Sequence, residues 1–262
     1  MRNVIKANSC SLQARTGALN GVTIRASLLY SRVVALLVVC SMLIACDDIR
    51  FPRDPEKTLE TVLADGEMTV AFADNSPWVT FHGEGPPQGI EVDLVRAFAD
   101  ELGVVIDWKR LGAFSALEGL ERGDIDLAIG GFDRKDVTPV AGAAPSYVYF
   151  KEVFDVGARP ATVGSDDMAG RKVYVPQDLP LTKIVENKGG IPVEAWSDAV
   201  DYAAGPRWLL ETKGLLPTDI ELHRAEHVMA VRQGESAWLM RLERFLRRET
   251  KDIGARLREI MQ

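Results

Sequence analysis

The chain has 262 residues, 47% of them apolar and 26% charged, and a net charge of −7. This length and composition describe a globular protein able to bury one large or two small cores, and the acidic balance excludes a nucleic-acid partner, whose phosphates it would repel. The three cysteines, Cys10, Cys40 and Cys46, all fall near the start, so the remainder of the chain has no disulfide framework.

Residues 1–45 carry Arg2, Lys6, Arg15, Arg25 and Arg32 and no acidic residue. The apolar run "VVALLVVCSMLIA", Val33 to Ala45, is 13 residues, whereas a spanning helix needs roughly 20. A positive segment, a short apolar segment and a small-residue exit make an export signal. Leu43-Ile44-Ala45-Cys46 resembles the lipobox of bacterial lipoproteins. That resemblance implies cleavage before Cys46, acylation of Cys46 and residence on the periplasmic side of the cell membrane. Two or three acyl chains, at about 0.8 kcal/mol per buried CH2, give the firm anchoring that one chain cannot. Loss of residues 1–45 removes five positive charges and leaves a mature charge of about −12. Residues 46–65, charged and carrying Pro52 and Pro55, read as a tether with a short helix at Leu59 to Leu63.

After Gly66 the elements alternate. "MTVAFA" is a strand, and "GIEVDLVRAFADELG" a helix with Leu94, Val95, Phe98 and Leu102 on one stripe. "VVIDWKR" is a strand, "AFSALEGLERG" a helix stopped by Gly123, and "IDLAIGGF" a strand buried on both faces. The order βαβαβ predicts an open parallel sheet with helices on it. After the extended segment Ser146 to Ala158 the pattern restarts: "RKVYVP" strand, "LTKIVENKGG" helix, "IPVEAW" strand. "HVMAVRQG" reads as a return crossing, and the residues after Ser236 as an amphipathic helix broken near Gly254. The expected division is a signal at 1–45, a tether at 46–65, a first lobe at 66–153 with 230–262, and a second lobe at 154–229.

"GEMTVAFADNSPWVTF", "QGIEVDLVRAFADELG", "LEGLERGDIDLAIGG" and "VMAVRQGESAWLMRLERFLRRE" together resemble the family 3 extracellular solute-binding proteins of ABC importers. The resemblance implies the two-lobed periplasmic-binding-protein-like type II fold, in which each lobe is an open, mainly parallel α/β sheet flanked by helices. It further implies a monomer that clamps a small-molecule solute and presents it to an ABC permease in the inner membrane, with no cofactor. A clamp works because the solute touches both lobes, shifting the open–closed equilibrium by its differential affinity for the closed form. Its ligand groups belong at the carboxyl ends of the parallel strands.

The candidate ligand-binding residues follow from that placement. Asp74, Asn75 and Trp78 lie in the loop after the first strand, where the family has an aromatic wall, and Phe114 starts the next helix near another family aromatic. Gly131 permits close backbone approach at a strand end. Asp133 would accept hydrogen bonds from an ammonium or hydroxyl, and Arg134 is the nearest candidate for the family's carboxylate-binding arginine. In the second lobe "PQDLPLT" replaces the family's helix-capping Gly-Thr or Gly-Ser step, leaving Gln177, Asp178 and Thr182 as weaker substitutes. "DYAAGPRW" puts Ala204 or Gly205 where an aspartate usually receives the α-ammonium, which puts a standard α-amino acid in doubt. The stretch from Trp196 to Trp208 is also short for the helix and strand expected there. His223 and His227 have the i, i+4 spacing that on a helix could share a metal, but with a strand-like context and no third ligand no metal site is expected. No catalytic residue is expected. The competing classes are a sensor or partner-binding module with a degraded pocket, and an enzyme resembling the periplasmic cyclohexadienyl or arogenate dehydratases.

Overall fold

A computed structural model of the chain describes residues 54–162, 167–177 and 179–260. The expected signal, Cys46 and the first part of the tether lie outside the described residues. A helix, α1 (Thr58–Asp65), precedes β1 (Glu67–Phe72), α2 (Ile90–Leu102), β2 (Val105–Arg110), α3 (Ala113–Arg122) and β3 (Leu127–Asp133). After a single turn α4 (Arg134–Val137) come β4 (Ala143–Pro145) and β5 (Phe150–Ala158). The second lobe holds β6 (Lys172–Tyr174), α5 (Thr182–Asn187), β7 (Ile191–Val193), β8 (Tyr202–Pro206) and α6 (Arg207–Thr212). The chain returns along β9 (Leu216–Arg232) and ends in α7 (Ser236–Glu249) and α8 (Ile253–Ile260).

One nine-stranded sheet runs β2-β1-β3-β9-β5-β8-β6-β7, with β4 also on β9. Its two ends are parallel trios, β2-β1-β3 and β8-β6-β7. Antiparallel β5 and β9 join them. β9 pairs with β5 from Leu216 to His227 and with β3 from His227 to Ala230, so His227 stands where the strand passes from one lobe to the other. These are the two crossings expected from the sequence.

The first lobe is covered on both faces. Leu94, Val95 and Phe98 of α2 pack with Trp238, Leu242, Phe245 and Leu246 of α7 over Met68, Val70, Leu127 and Ile129. Ala116, Leu117 and Leu120 of α3 cover the other face against Ala71, Ala128 and Ala230. The break in the C-terminal helix falls at residues 250–252, just before Gly254, where Thr250 donates its hydroxyl back to the Leu246 carbonyl at 2.7 Å. The second lobe has a full core on one face, from Val156, Val173, Val185 and Tyr202. On the other face, among the described residues, the buried cluster is Ala203, Leu210 and Leu215, with Tyr174 packed against them. Between β7 and β8 the chain makes turns and no helix, so the segment that is short in sequence supplies the strand and omits the helix. The omission leaves an apolar hollow lined by Tyr174, Trp196, Leu209 and Leu215.

The tether reading needs revision for its second half. α1 extends the short helix expected at Leu59–Leu63, and Val62 is buried in the first-lobe core with Leu59 against it. The buried Glu235, just before α7, accepts the backbone N–H groups of Glu56 and Thr58, each at 3.0 Å. One orphan donor at the helix start, that of Thr58, and the backbone donor just before the cap, that of Glu56, are thereby satisfied by one carboxylate, which holds the segment down. Asp54 lies beside Glu235; its burial, and then the neighbouring Glu235, push its pKa up to about 6. A raised carboxyl pKa favours the folded, protonated form, so this contribution is complete below the ordinary value of 3.8 and lost as pH rises through about 6. Asp54→Asn, which needs no proton, is expected to match the wild type in thermal stability at acid pH and to exceed it above neutrality. Melting temperatures of the two across that range check it.

Candidate functional site

A cleft of about 290 Å3 opens between the lobes, at the carboxyl ends of the parallel strands of both. The first lobe contributes Asn75, Trp78, Gly131, Asp133, Lys135 and Asp136. The second contributes Leu179, Pro180, Leu181, Pro206 and Trp208, and the crossing strands supply Glu152, Phe154, His223 and His227. This is the place the topology reserves for a ligand, because loops of opposite lobes converge there.

The floor is a hydrogen-bonded stack. Trp78 is only 2% exposed, so it is a fixed wall and not a mobile stacking ring. Its ring centroid lies 4.0 Å from that of His227, with Phe150 and Tyr149 around it at 5.6 and 6.1 Å. A Cβ on Gly131, whose φ is +62°, would stand 2.6 Å from Trp78 Cδ1, so glycine is required there by conformation and by space. His227 Nδ1 lies 3.1 Å from the Gly131 carbonyl oxygen, and His227 Nε2 lies 2.9 Å from Glu152 Oε2. Glu152 Oε1 accepts the indole N–H of Trp208 at 2.7 Å. A carbonyl can only accept, so Nδ1 carries a hydrogen, and the bond between Nε2 and Glu152 closes with one further proton on the pair. The stack therefore joins β3 of the first lobe, the crossing strands β5 and β9, and α6 of the second lobe through one buried imidazole–carboxylate contact.

Behind the floor sits Glu91, on α2 and fully buried. Its Oε2 accepts the backbone N–H of Gly130 and of Gly131, both at 2.7 Å, and its Oε1 accepts the Tyr149 hydroxyl at 2.5 Å. Burial raises the Glu91 carboxyl above its usual range, against the pull of those donors. Burial and the Glu91 charge hold the Tyr149 hydroxyl well above the ordinary phenol value. The strand end that faces the cleft is thus fixed from behind.

The residues singled out from the sequence divide into two groups. Asn75, Trp78, Gly131 and Asp133 meet in the cleft. Asn75 donates Nδ2–H to the Gly130 carbonyl at 2.9 Å, and Asp133 caps α4 by accepting the Lys135 N–H at 3.2 Å. Lys135 Nζ stands 3.0 Å from Asp133 Oδ2, and its hydrogen bonds outweigh burial to hold the Asp133 carboxyl below the ordinary value. The others do not line the cleft. Asp74 is exposed and faces Arg110 at 3.7 Å, and Phe114 is 65% exposed on α3. Gln177 donates to Glu194 at 3.2 Å beside Thr182 in a separate hollow of the second lobe. Arg134, about half exposed, turns outward into an ion pair with Glu226, because capping by Asp133 starts a tight helical turn that swings the next side chain away. Asp178 lies outside the described residues. His223 and His227 stand on a strand, where four residues span about 13 Å, so the helix-based reason for a shared metal does not apply; among the described residues no group of three or more metal-ligating side chains occurs.

Sequence reasoning missed Glu91, Glu152, His227 as a floor residue, and Trp208. Glu91 was the one with a signal, a carboxylate that falls on the apolar stripe of α2, three and four residues before Leu94 and Val95. Arg134→Ala is expected to leave the affinity of any cleft ligand unchanged and to cost under about 1 kcal/mol of stability, as exposed ion pairs do; ligand titration and denaturant midpoints check both.

Residues 68–258 match the family described as bacterial extracellular solute-binding proteins, family 3. The chain belongs to that family. Among curated relatives, a membrane-bound lytic murein transglycosylase F of Maricaulis maris is 36% identical over 104 residues, 38% of this chain and 23% of that protein. The transglycosylase F of Vibrio cholerae is 27% identical over 123 residues, 46% of this chain and 22% of the relative. The chain thus matches less than a quarter of the length of these relatives. Among solved structures, the L-cystine solute receptor of Neisseria gonorrhoeae in its unliganded open conformation superposes with a TM-score of 0.59 at 17% identity, covering 74% of this chain and 91% of the receptor. An ancestral cationic amino acid solute-binding protein superposes with a TM-score of 0.60 at 16% identity, covering 78% and 98%. These neighbours have the type II periplasmic-binding-protein fold, with two α/β lobes joined by crossing strands, and this chain shares it.

Proposed function

We propose that this family 3 solute-binding protein is a receptor that closes its two lobes on a small polar solute, an amino acid or a related carboxylate or amine, and delivers it unchanged to an ABC importer. In the same reading Cys46 carries the lipid that holds the receptor at the periplasmic face of the membrane, and the protein acts as a monomer. The observation that carries the proposal is the cleft, which draws its walls from both lobes and its floor from the two crossing strands. A ligand seated there touches both lobes and stabilises closure by the difference of its two affinities. A thermal-shift screen of the chain against amino acids, amines, small carboxylates and oligopeptides tests it. A ligand at 100 times its dissociation constant adds about 2.7 kcal/mol. A ligand-dependent decrease in radius of gyration by X-ray scattering would complete the case, and chemical conversion of the ligand would replace it with an enzyme.

A second reading is a binding module that works on a partner. The uncovered apolar face of the second lobe favours it, as does the partial match to much longer relatives. A chain that responds to no solute yet loses that face to hydrogen exchange protection on adding a partner would support the second reading.

A further inference from the structure

Resting on the solute-receptor reading, we infer that the cleft takes a solute bearing an ammonium or guanidinium group on an apolar body, with no carboxylate. Three observations meet in this assignment.

The charge of the lining is the first. Asp133, Asp136 and Glu152 line the cleft against one ammonium, that of Lys135; Glu152 is buried with its two oxygens engaged by His227 and Trp208, and Asp133 faces Lys135. Lys135 is occupied: its Nζ lies 3.0 Å from Asp133 Oδ2 and 3.2 Å from His223 Nε2. Both ring nitrogens of His227 are likewise engaged, by Gly131 and Glu152. Asp136, exposed on α4, has no ion-pair partner among the described residues, which makes it the carboxylate open to an incoming cation.

The second is that the guanidinium groups around the site are all committed elsewhere. Arg134 pairs with Glu226, Arg207 with Asp155, and Arg224 with Glu221 at 2.6 Å. A ligand carboxylate entering the cleft would find no free two-pronged donor among the described residues and would meet the unpaired Asp136 carboxylate.

The third is the opposite wall. Leu179, Pro180, Leu181, Pro206 and Phe154 supply hydrocarbon. The two prolines have no N–H, the Leu179 and Leu181 amides are spent on the Pro176 and Leu179 carbonyls, and the Trp208 indole N–H is spent on Glu152. Among the described residues that wall can cover a chain or a ring and shows no free donor for a carboxylate. A cationic head at the first lobe and an apolar body against the second satisfy both sides together.

Titration calorimetry of the full chain in detergent with matched pairs tests the inference: cadaverine against lysine, agmatine against arginine, and phenethylamine against phenylalanine. Each pair differs by one carboxylate. The expected result is that the amine of at least one pair binds about tenfold or more tightly than its amino acid. Asp136→Asn should weaken that amine about tenfold, with unchanged melting temperature of the free protein. An amino acid that binds as well as or better than its amine would overturn the inference and leave the receptor standing. Binding confined to neutral sugars or dicarboxylates would do the same. No binding by any member of these classes would overturn both.

Discussion

Glu91→Ala is expected to abolish folding of the first lobe or to leave it marginal, whereas Glu91→Gln folds with a modest loss. The alanine variant removes the acceptor for two strand-end amides, that of Gly130 buried and that of Gly131 partly buried, and for a buried phenol. Each stranded buried donor costs about 1–3 kcal/mol, so three of them approach the whole stability of about 5–15 kcal/mol typical of a domain. Glutamine keeps one oxygen for the Gly130 and Gly131 amides, and the Tyr149 hydroxyl can rotate to accept from the new amide; its expected cost is about 1–2 kcal/mol. The pH dependence separates the two forms further. Because burial raises the folded-state carboxyl, ionisation of Glu91 detracts from stability as pH rises from the ordinary value of 4.5 to its raised one. Glu91→Gln should remove that part of the slope. Urea midpoints over a pH series measure all three quantities.

His227→Leu is expected to cost about 3–5 kcal/mol, the price of leaving a buried charge without its partner. The variant fills much of the space beneath Trp78 but strands the Glu152 carboxylate, 4% exposed, with the Trp208 indole as its remaining donor. A second change restores the balance: Glu152→Leu in the His227→Leu background removes the stranded acceptor, so the double variant should be less destabilised than the sum of the singles by about 0.5–3 kcal/mol. Purely additive losses would show that the two side chains do not act as a pair. The same cycle read by ligand titration addresses function. The pair spans the lobe junction and forms the cleft floor, so ligand affinity should fall in His227→Leu, whereas a change remote from that junction with an equal stability loss should leave it intact.

The fold was readable to different depths in different places. The periodic apolar positions of α2 and α7 and the apolar runs of β1 and β3 announce themselves because each element buries a continuous face, and burial of a face imposes its period on the sequence. The docking of α1 was not readable. Its anchor is Glu235, 177 residues away from Thr58, and nothing local in "DPEKTLETV" marks two amides as bound by a distant carboxylate. The second-lobe helix could be seen to be short of residues, but the hollow its absence leaves depends on how β6, β8 and α6 pack.

The site divides along the same line. By itself the sequence determined a two-part α/β chain whose first-strand loop and third-strand end, with Asn75, Trp78, Gly131 and Asp133, meet at the cleft between the lobes, because parallel strands direct their following loops to one edge. Only the tertiary structure decided that Arg134 turns away to Glu226, that Phe114, Asp74 and Gln177 stay outside, and that Glu91, Glu152 and His227 hold the floor. A side chain's role here depends on which distant donor or acceptor reaches it, and hydrogen-bond partners separated by 39 to 75 residues leave no period in a sequence.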